Sequence, residues 1–395
     1  MTTTRTKTTF APPVMEARRW IAGREFPSSR PLINVSQAAP LDPPPDGLRR
    51  HIAETSINMP EAHLYGPVLG LPELRAEVAT RWQTHYGGEI ASDQVAITSG
   101  CNQAFAAAIS SITSETDEVI LPTPWYFNHK MWLDMQGVQT VPLATRDGLL
   151  PDPKDAKALI TKKTRAIVLV TPNNPGGVEY PAELVKRFYA LAKKAGIKLI
   201  VDETYRDFDS RLEPAHELFK DPKWDQTLIH LYSFSKAYRL TGHRVGAMIT
   251  SADLLSEVEK FLDTVAICPN QLGQHAALWG MLNLGNWLAG EREEILARRD
   301  AIQTNMPLLE AKGWKLLGLG AYFAYLEHPF ELASDDLAQD LVKRAHVLCL
   351  PGTMFHPEGS LDGKQQLRIA FANIDAAHIT GLFARLAAYD PPAAR

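Results

Sequence analysis

Short apolar runs that end in polar residues recur through the middle of this chain and constrain its architecture more than any other feature. Lys198-Leu199-Ile200-Val201 runs into Asp202-Glu203-Thr204-Tyr205. Ala166-Ile167-Val168-Leu169-Val170 runs into Thr171-Pro172-Asn173-Asn174-Pro175-Gly176-Gly177. A strand buried on both faces reads as such an unbroken apolar run, and proline with glycine stops it. Between the strands lie segments of helical period. Pro181 to Ala195 places Leu184, Phe188 and Leu191 on one face and is closed by Gly196, a C-terminal stop. Strand and helix alternate from about Glu73 to Ser251, which predicts βαβ units and a mainly parallel sheet. Ligands of such open sheets bind beyond the carboxyl ends of the strands. That edge carries Asn174, Asp202 and Ser233.

The chemistry-bearing residues sit beside those strand ends. Ser233-Phe234-Ser235-Lys236 is followed, eight residues after the lysine, by Arg244 within Thr241-Gly242-His243-Arg244-Val245-Gly246. A lysine amine bonds an aldehyde as a Schiff base, while two hydroxyls and a planar guanidinium suit a phosphate. Pyridoxal phosphate carries both groups. Asp202 is a partner for its pyridine nitrogen, and keeping that nitrogen protonated makes the ring an electron sink. Tyr205, three residues on, reaches toward the ring's phenolic oxygen. Ser99-Gly100-Cys101, leading into Gln103-Ala104-Phe105, offers unpaired amides at a helix N-terminus, and Gly100 lets the backbone approach an anion. Each of these residues also has a plain structural use as surface turn, loop or core aromatic, so the weight lies in their combination.

Together the segments resemble the aminotransferase class I and II family, pyridoxal-phosphate enzymes of the aspartate aminotransferase fold, over nearly the whole chain. The resemblance adds Tyr65-Gly66-Pro67, whose tyrosine reaches the phosphate bound by a partner subunit. It also adds Thr98-Ser99-Gly100-Cys101-Asn102, whose turn holds the phosphate, and Pro124-Trp125-Tyr126, in which Tyr126 stacks on the ring. Asn174 then bonds the phenolic oxygen, and Arg368, in Gln366-Leu367-Arg368-Ile369-Ala370, clamps the substrate's α-carboxylate. The implied fold is the type I α/β fold of pyridoxal-phosphate transferases. It has a large domain, with helices on both faces of a mainly parallel sheet, and a smaller α+β domain. The implied cofactor contacts are Tyr65, Gly100, Cys101, Asn102, Tyr126, Asn174, Asp202, Tyr205, Ser233, Ser235, Lys236 and Arg244. Lys236, Asp202 and Tyr205 serve the chemistry, Ala38, Asn174 and Arg368 meet the substrate, and no metal is implied.

With 395 residues the chain exceeds what one core serves, so more than one domain is expected. Residues 1–50 are read as an N-terminal arm and part of the small domain, 51–285 as the large cofactor domain. Residues 286–395 are read as an interdomain helix and the C-terminal small domain. That helix is the charged stretch from Asn286 to Lys312, stopped by Gly313, with its charges on a solvated face. Pro-rich Ala39 to Pro45 cannot form a regular element and is placed at the site entrance. A net charge of −4 with interspersed signs gives no basic stripe for nucleic acid or a membrane surface. Cys101, Cys268 and Cys349 are few and far apart, as reduced thiols are. No run approaches the roughly 20 apolar residues of a spanning helix, and no apolar segment follows Met1 to Lys7. A cytoplasmic enzyme is expected.

The expected reaction is double displacement between an L-amino acid and a 2-oxo acid, with Lys236 bonded to the cofactor at rest. The lysine then acts as base once a pocket and Arg244 lower its pKa. By resemblance the working unit is a homodimer with shared sites. The resemblance also implies that aspartate enzymes hold the distal carboxylate with a lysine in the helix after the phosphate turn or with an arginine from the partner subunit. Here that helix carries no charge and the segment ending in Cys268-Pro269-Asn270 has no arginine, so acidic substrates need another cation. Arg18, Arg19 and Arg24 are the candidates. Gln37-Ala38-Ala39-Pro40 carries a methyl where relatives commonly have glycine, which narrows that spot. Three rival functions use the same fold: a carbon-sulfur β-lyase, a pyridoxal-phosphate-binding regulator, and a catalytically silent relative, which would be expected to lose the lysine that stands here as Lys236. A regulator carries a DNA-binding domain, and only about 60 residues precede Tyr65 here, without basic recognition signals.

Overall fold

The computed structural model describes residues 4–391. Its central sheet has seven strands: β2 (Val95–Thr98), β3 (Glu118–Thr123), β4 (Gln139–Ala144), β5 (Thr164–Val170), β6 (Lys198–Asp202), β7 (Leu228–Ser233) and β8 (Gly246–Ile249), after a short first strand β1 (Ile33–Asn34) that lies elsewhere. The order is β2-β8-β7-β6-β5-β3-β4, and β8 alone runs antiparallel to its neighbours. Along β6 the side chains alternate between two cores: Leu199 and Val201 join one cluster, Ile200 the other. Strand β5 does the same, with Ile167 and Leu169 on one face and Ala166 and Val168 on the other. Apolar residues at every position follow from that period of two. One face is covered by helices Pro72–Tyr86, Ala182–Ala195 and Gln271–Asn283. Helices Cys101–Ile112, Phe127–Gln136 and Ala252–Ala266 cover the other.

A second core lies behind a four-stranded antiparallel sheet of order β12-β13-β10-β9. These strands are β9 (Lys315–Gly320), β10 (Phe323–Glu327), β12 (Leu350–Pro351) and β13 (Gln366–Ala370). β1 pairs in parallel with β11 (Val347–Leu348), which ties the N-terminal segment to this C-terminal half. Helices Ser334–Arg344 and Ala376–Ala387 contribute Leu337, Leu341, Ile379, Leu382 and Phe383 to the core. The long helix Gly285–Glu310 serves both bodies. Trp287 and Leu288 pack against the first core, and Ile302, Met306 and Leu309 enter the second. Its charged middle is not the solvated face expected from the sequence. Glu293, Glu294 and Asp300 are exposed, but Glu291 pairs with Arg239, Arg292 donates to the Asp209 and Ser210 carbonyls, and Arg298 donates to the Ala372 carbonyl, because the helix runs between the two cores.

Three local differences from the sequence reading have clear causes. Helix Ala182–Ala195 ends at Gly196 in the left-handed region, φ +68°, as expected. Its core face, however, is Val185, Phe188, Tyr189 and Ala192, while Leu184 and Leu191 lie at the margin. A tyrosine with one polar atom counts as an apolar anchor here because its ring is buried and its hydroxyl reaches Asp221 Oδ2 at 2.9 Å. Helix Asp46–Asn58 is not announced by the sequence because it buries only Leu48 and Thr55. Helix Pro13–Ile21 follows Pro12 and has proline at its first position. Ala17 is buried on it against Phe127, Tyr325 and Leu348.

The revised helix face makes a direct stability prediction. Phe188→Ala should lower the unfolding free energy by about 3–5 kcal/mol in denaturant titration, as a fully buried aromatic does. Leu191→Ala, at the margin, should lower it by less than half as much. Equal losses would return Leu191 to the core face.

Candidate active site

A cavity of about 420 Å³ opens where the carboxyl ends of β5, β6 and β7 meet the N-terminus of helix Cys101–Ile112. Strand register makes this convergence: Val170, Asp202 and Leu231 lie level across the three strands, so residues just beyond them share one edge. Thirteen of the fourteen residues singled out from the sequence line the cavity or pack directly at it. Tyr65 does not. It is 79% exposed, on the outer surface of its own chain.

Lys236 leaves β7 in a one-turn helix, Phe234–Ala237, whose start is fixed by Ser233: its hydroxyl accepts from the Ser235 amide at 3.3 Å. Lys236 Nζ donates to the Ala38 carbonyl at 2.5 Å. Loss of hydration, and then the positive fields of Arg244 and Arg368, push this amine down to about 8. The fall is in the direction expected from the sequence, with Arg368 as an added cause.

Asp202 ends β6 and is 3% exposed. Burial alone would favour its neutral form. His129 Nε2, 3.2 Å from Oδ2, and the Thr204 amide, donating to Oδ1 at 3.0 Å, outweigh burial and hold the carboxyl below its usual range. His129 is in turn stacked on Phe105, with ring centroids 3.9 Å apart. Sequence reasoning missed His129. A signal was there, since it lies three residues after Tyr126 on a helix that must face the Asp202 strand end, but only tertiary packing brings the two together.

The anion-facing wall is built from a turn and an arginine. Gly100 has φ +86° and leads into the helix without any side-chain cap, so Cys101 and Asn102 present free amides. Arg244, itself at φ +54°, lies against that turn. Its Nη1 donates to Ser235 Oγ at 3.3 Å and to the Thr241 carbonyl at 3.0 Å. A Cβ placed on Gly100 would collide with the Arg244 guanidinium, so only glycine permits this approach. Tyr126 forms the next wall. Its hydroxyl accepts from Asn128 Nδ2 at 2.9 Å and donates to Asn102 Oδ1 at 3.3 Å, and burial raises it to about 12.

Arg368 lies at the centre of β13 with 2% exposure. It donates to Asn174 Oδ1 at 3.0 Å and to the Ser36 carbonyl, and sits among the rings of Phe127, Phe323 and Phe355. Its Nε has no partner among the described residues. Burial lowers it to about 10. Tyr205 packs edge-on against Tyr322 and Phe323, and burial drives its hydroxyl well above the ordinary tyrosine range. Of the three N-terminal arginines, Arg18 alone lines the cavity. Arg19 is taken by Glu16 at 2.6 Å and Arg24 by the Trp20 carbonyl at 2.8 Å.

One other buried cluster resembles a ligand set. Glu203, His216 and His230 lie together across β6 from Asp202. Trp82 Nε1 points at His230 Nδ1, and the Leu218 amide at His216 Nδ1, each at 3.3 Å. Both rings then carry their proton on Nε2, facing Glu203 at 2.8 and 3.6 Å. Protonated nitrogens cannot ligate a metal. The group is a buried carboxylate held on one oxygen by His230 and the Tyr86 hydroxyl, with His216 beyond hydrogen-bond reach of the other.

The family model for aminotransferase class I and II matches residues 30–386, and the chain belongs to that family. It is a pyridoxal-phosphate-dependent aminotransferase. An aromatic aminotransferase of Arabidopsis thaliana is 28% identical over 334 residues, 82% of this chain and 80% of that protein. An aspartate aminotransferase of Pyrococcus horikoshii is 28% identical over 319 residues, 78% of each. In fold, the chain is similar to a solved Thermus thermophilus aspartate aminotransferase variant with a TM-score of 0.87. That match is 22% identical and covers 98% of this chain and 99% of the other.

The depressed Lys236 amine makes a pH prediction for the cofactor-free protein. An unfolded lysine holds its proton to about 10.4, the folded one only to about 8. Between those values the unfolded state binds more protons, so stability rises with pH; below about 8 the full penalty is present. Lys236→Met should therefore be more stable than the parent at pH 7, by about 2–3 kcal/mol, and the advantage should shrink toward pH 10. A gap that stays constant over that range in thermal unfolding would refute the depressed amine.

Proposed function

We propose that the family reaction, transfer of an amino group between an L-amino acid and a 2-oxo acid, takes place in the Lys236 cavity. One observation carries this assignment. A lysine amine lowered to about 8, a buried ionised aspartate, an arginine beside an uncapped helix start and a second, partly unpartnered arginine face one 420 Å³ space.

The residues present fit pyridoxal phosphate. Gly100, Cys101, Asn102, Ser233, Ser235 and Arg244 would hold its phosphate, Tyr126 would stack on its ring, and Asp202 would pair with the ring nitrogen. Asn174 and Tyr205 would flank the phenolic oxygen, and Lys236 Nζ would bond the aldehyde. When bound, the cofactor supplies an electron sink for the charge left on the substrate α-carbon. The chain does the rest. Arg368 takes the α-carboxylate on a guanidinium whose other bonds, to Asn174 and Ser36, fix its plane. The substrate's amino group would displace Lys236 Nζ from the aldehyde, and the freed amine, near 8, would then take the α-proton. Asp202 stays ionised because His129 and Thr204 support it. A 2-oxo acid leaves, and a second reverses the path. The β-lyase and regulator alternatives are not favoured, since the relatives are named as aminotransferases.

Borohydride reduction of the holoenzyme followed by peptide mapping should label Lys236 and no other lysine, and Lys236→Ala should abolish turnover. Asp202→Asn should retain less than a tenth of the parent turnover while losing much less cofactor, because the phosphate wall supplies much of the binding. A label elsewhere, or a fully active Asp202→Asn protein, would break the assignment.

We also propose a cytoplasmic homodimer with shared sites, divided into an arm (residues 1–50), a cofactor domain (51–285) and an interdomain helix with small domain (286–395). The support is surface chemistry. Leu64, Tyr65, Val265 and Ile267 are exposed apolar residues, and the Gly66 amide points at Cys268 Sγ, 3.4 Å away, so the two segments adjoin. The three cysteines are free thiols, and no helix among the described residues is long and apolar enough to cross a membrane. Tyr65 would then serve the partner's phosphate. Exchanging subunits between Lys236→Ala and Tyr65→Phe proteins should raise activity per Lys236-bearing chain above that of the Tyr65→Phe homodimer, because each mixed dimer regains one intact site. No rise after verified exchange would end the shared-site reading.

A further inference from the structure

Three consecutive residues of the N-terminal segment each hold one cation of the cavity. The Ser36 carbonyl accepts from Arg368, Gln37 Oε1 accepts from Arg18 Nη2 at 2.8 Å, and the Ala38 carbonyl accepts from Lys236 at 2.5 Å. Two residue steps of chain span at most about 7 Å, so the carbonyls that hold Arg368 and Lys236 are neighbours, Gln37 between them reaches Arg18 with its side chain, and all three cations line the one cavity. The cavity's charges are otherwise matched. Under the proposed function, Lys236 meets the aldehyde, Arg244 the phosphate and Arg368 the α-carboxylate, while Asp202 is the only lining carboxylate. Arg18 is left over. Its one side-chain hydrogen bond among the described residues is to a neutral amide, and its acidic neighbour Glu16 is engaged by Arg19 and Trp20. A carboxylate displaces an amide from a guanidinium readily, because the charge-assisted bond is about twice as strong.

We infer that Arg18, on the chain's own N-terminal helix, is a specificity-determining residue: it takes the distal carboxylate of a dicarboxylic amino acid, or of the matching 2-oxo acid, whose α-carboxylate lies on Arg368. The inference rests on the proposed function of the cavity. It accounts for an uncharged helix after the phosphate turn and an arginine-free segment at Cys268 to Asn270, since the cation comes from a third direction. The exposed guanidinium is free to move toward the ligand, whereas Arg368 is fixed by burial.

The test uses the holoenzyme and compares the parent with Arg18→Gln and Arg18→Lys. The ratio of kcat/KM for a dicarboxylic amino acid to that for a straight-chain apolar one should fall about 30- to 100-fold in Arg18→Gln and recover in part in Arg18→Lys. Calorimetry with succinate and butyrate gives a readout without turnover. The parent should bind the dicarboxylate more tightly than the monocarboxylate, and Arg18→Gln should level the two. An unchanged ratio in Arg18→Gln, or equal binding of both acids by the parent, overturns the inference. If the parent converts apolar amino acids but dicarboxylic ones no better, Arg18 loses this role while the aminotransferase reading stands. If it converts no amino acid, the reading of the cavity falls and the inference with it.

Discussion

Both faces of β5, β6 and β7 are covered by helices, and that double burial is the constraint on which the site depends. A side chain on such a strand has only two destinations, one core or the other, until the strand ends. The carboxyl edge is therefore where polar side chains from neighbouring strands meet around an open cavity, whereas the Glu203–His230 pair inside the core needs Tyr86 and Trp82 as further partners. Parallel register then aligns the ends, setting Asp202 level with Val170 and Leu231. The antiparallel β8 returns the chain to the same edge, so that Arg244, just before it, faces the helix start at Gly100.

The cavity gathers Lys236, Arg244, Arg368 and Arg18 around a single carboxylate, Asp202. Lys236 is pushed down by lost hydration and then by the positive fields of Arg244 and Arg368, and Arg368 is pushed down by lost hydration. The protein offsets this with dipoles and rings in place of counter-charges. Carbonyls of Ser36 and Ala38, the amides of Asn174 and Gln37, and three phenylalanine faces around Arg368 carry the load. Neutral acceptors leave the positive charge uncancelled, so the space attracts anions. A cofactor phosphate and a substrate carboxylate are ligands of that kind.

The N-terminal segment couples the two bodies. β1 pairs with β11 beside the second core, and the residues that follow it touch Lys236 from the first. Arg368 belongs to the second sheet but bonds Asn174, which follows β5 of the first. The site is thus assembled across the join, and any relative movement of the two bodies changes the distances between Lys236, Arg368 and Arg18.

Much of this was legible in the chain because it depends on local order. Apolar runs with polar ends declare strands, Gly100 declares a turn that needs positive φ, and Ser233 to Arg244 places its lysine, hydroxyls and arginine within one short stretch. The cofactor wall came from those pieces. Contacts made across the fold were not legible. His129 reaches Asp202 only because helix Phe127–Gln136 packs over β6, and Arg18, Gln37 and Lys236 are brought together by chain segments distant in sequence. The face of helix Ala182–Ala195 was misjudged for the same reason: periodicity gives a stripe but not its exact azimuth, which is set by what it packs against. Sequence order determined the strand ends and the residues placed on them. Which cations share one space, and which of them keeps a neutral partner, was decided by tertiary packing, because charge and burial act through distance and not through position along the chain.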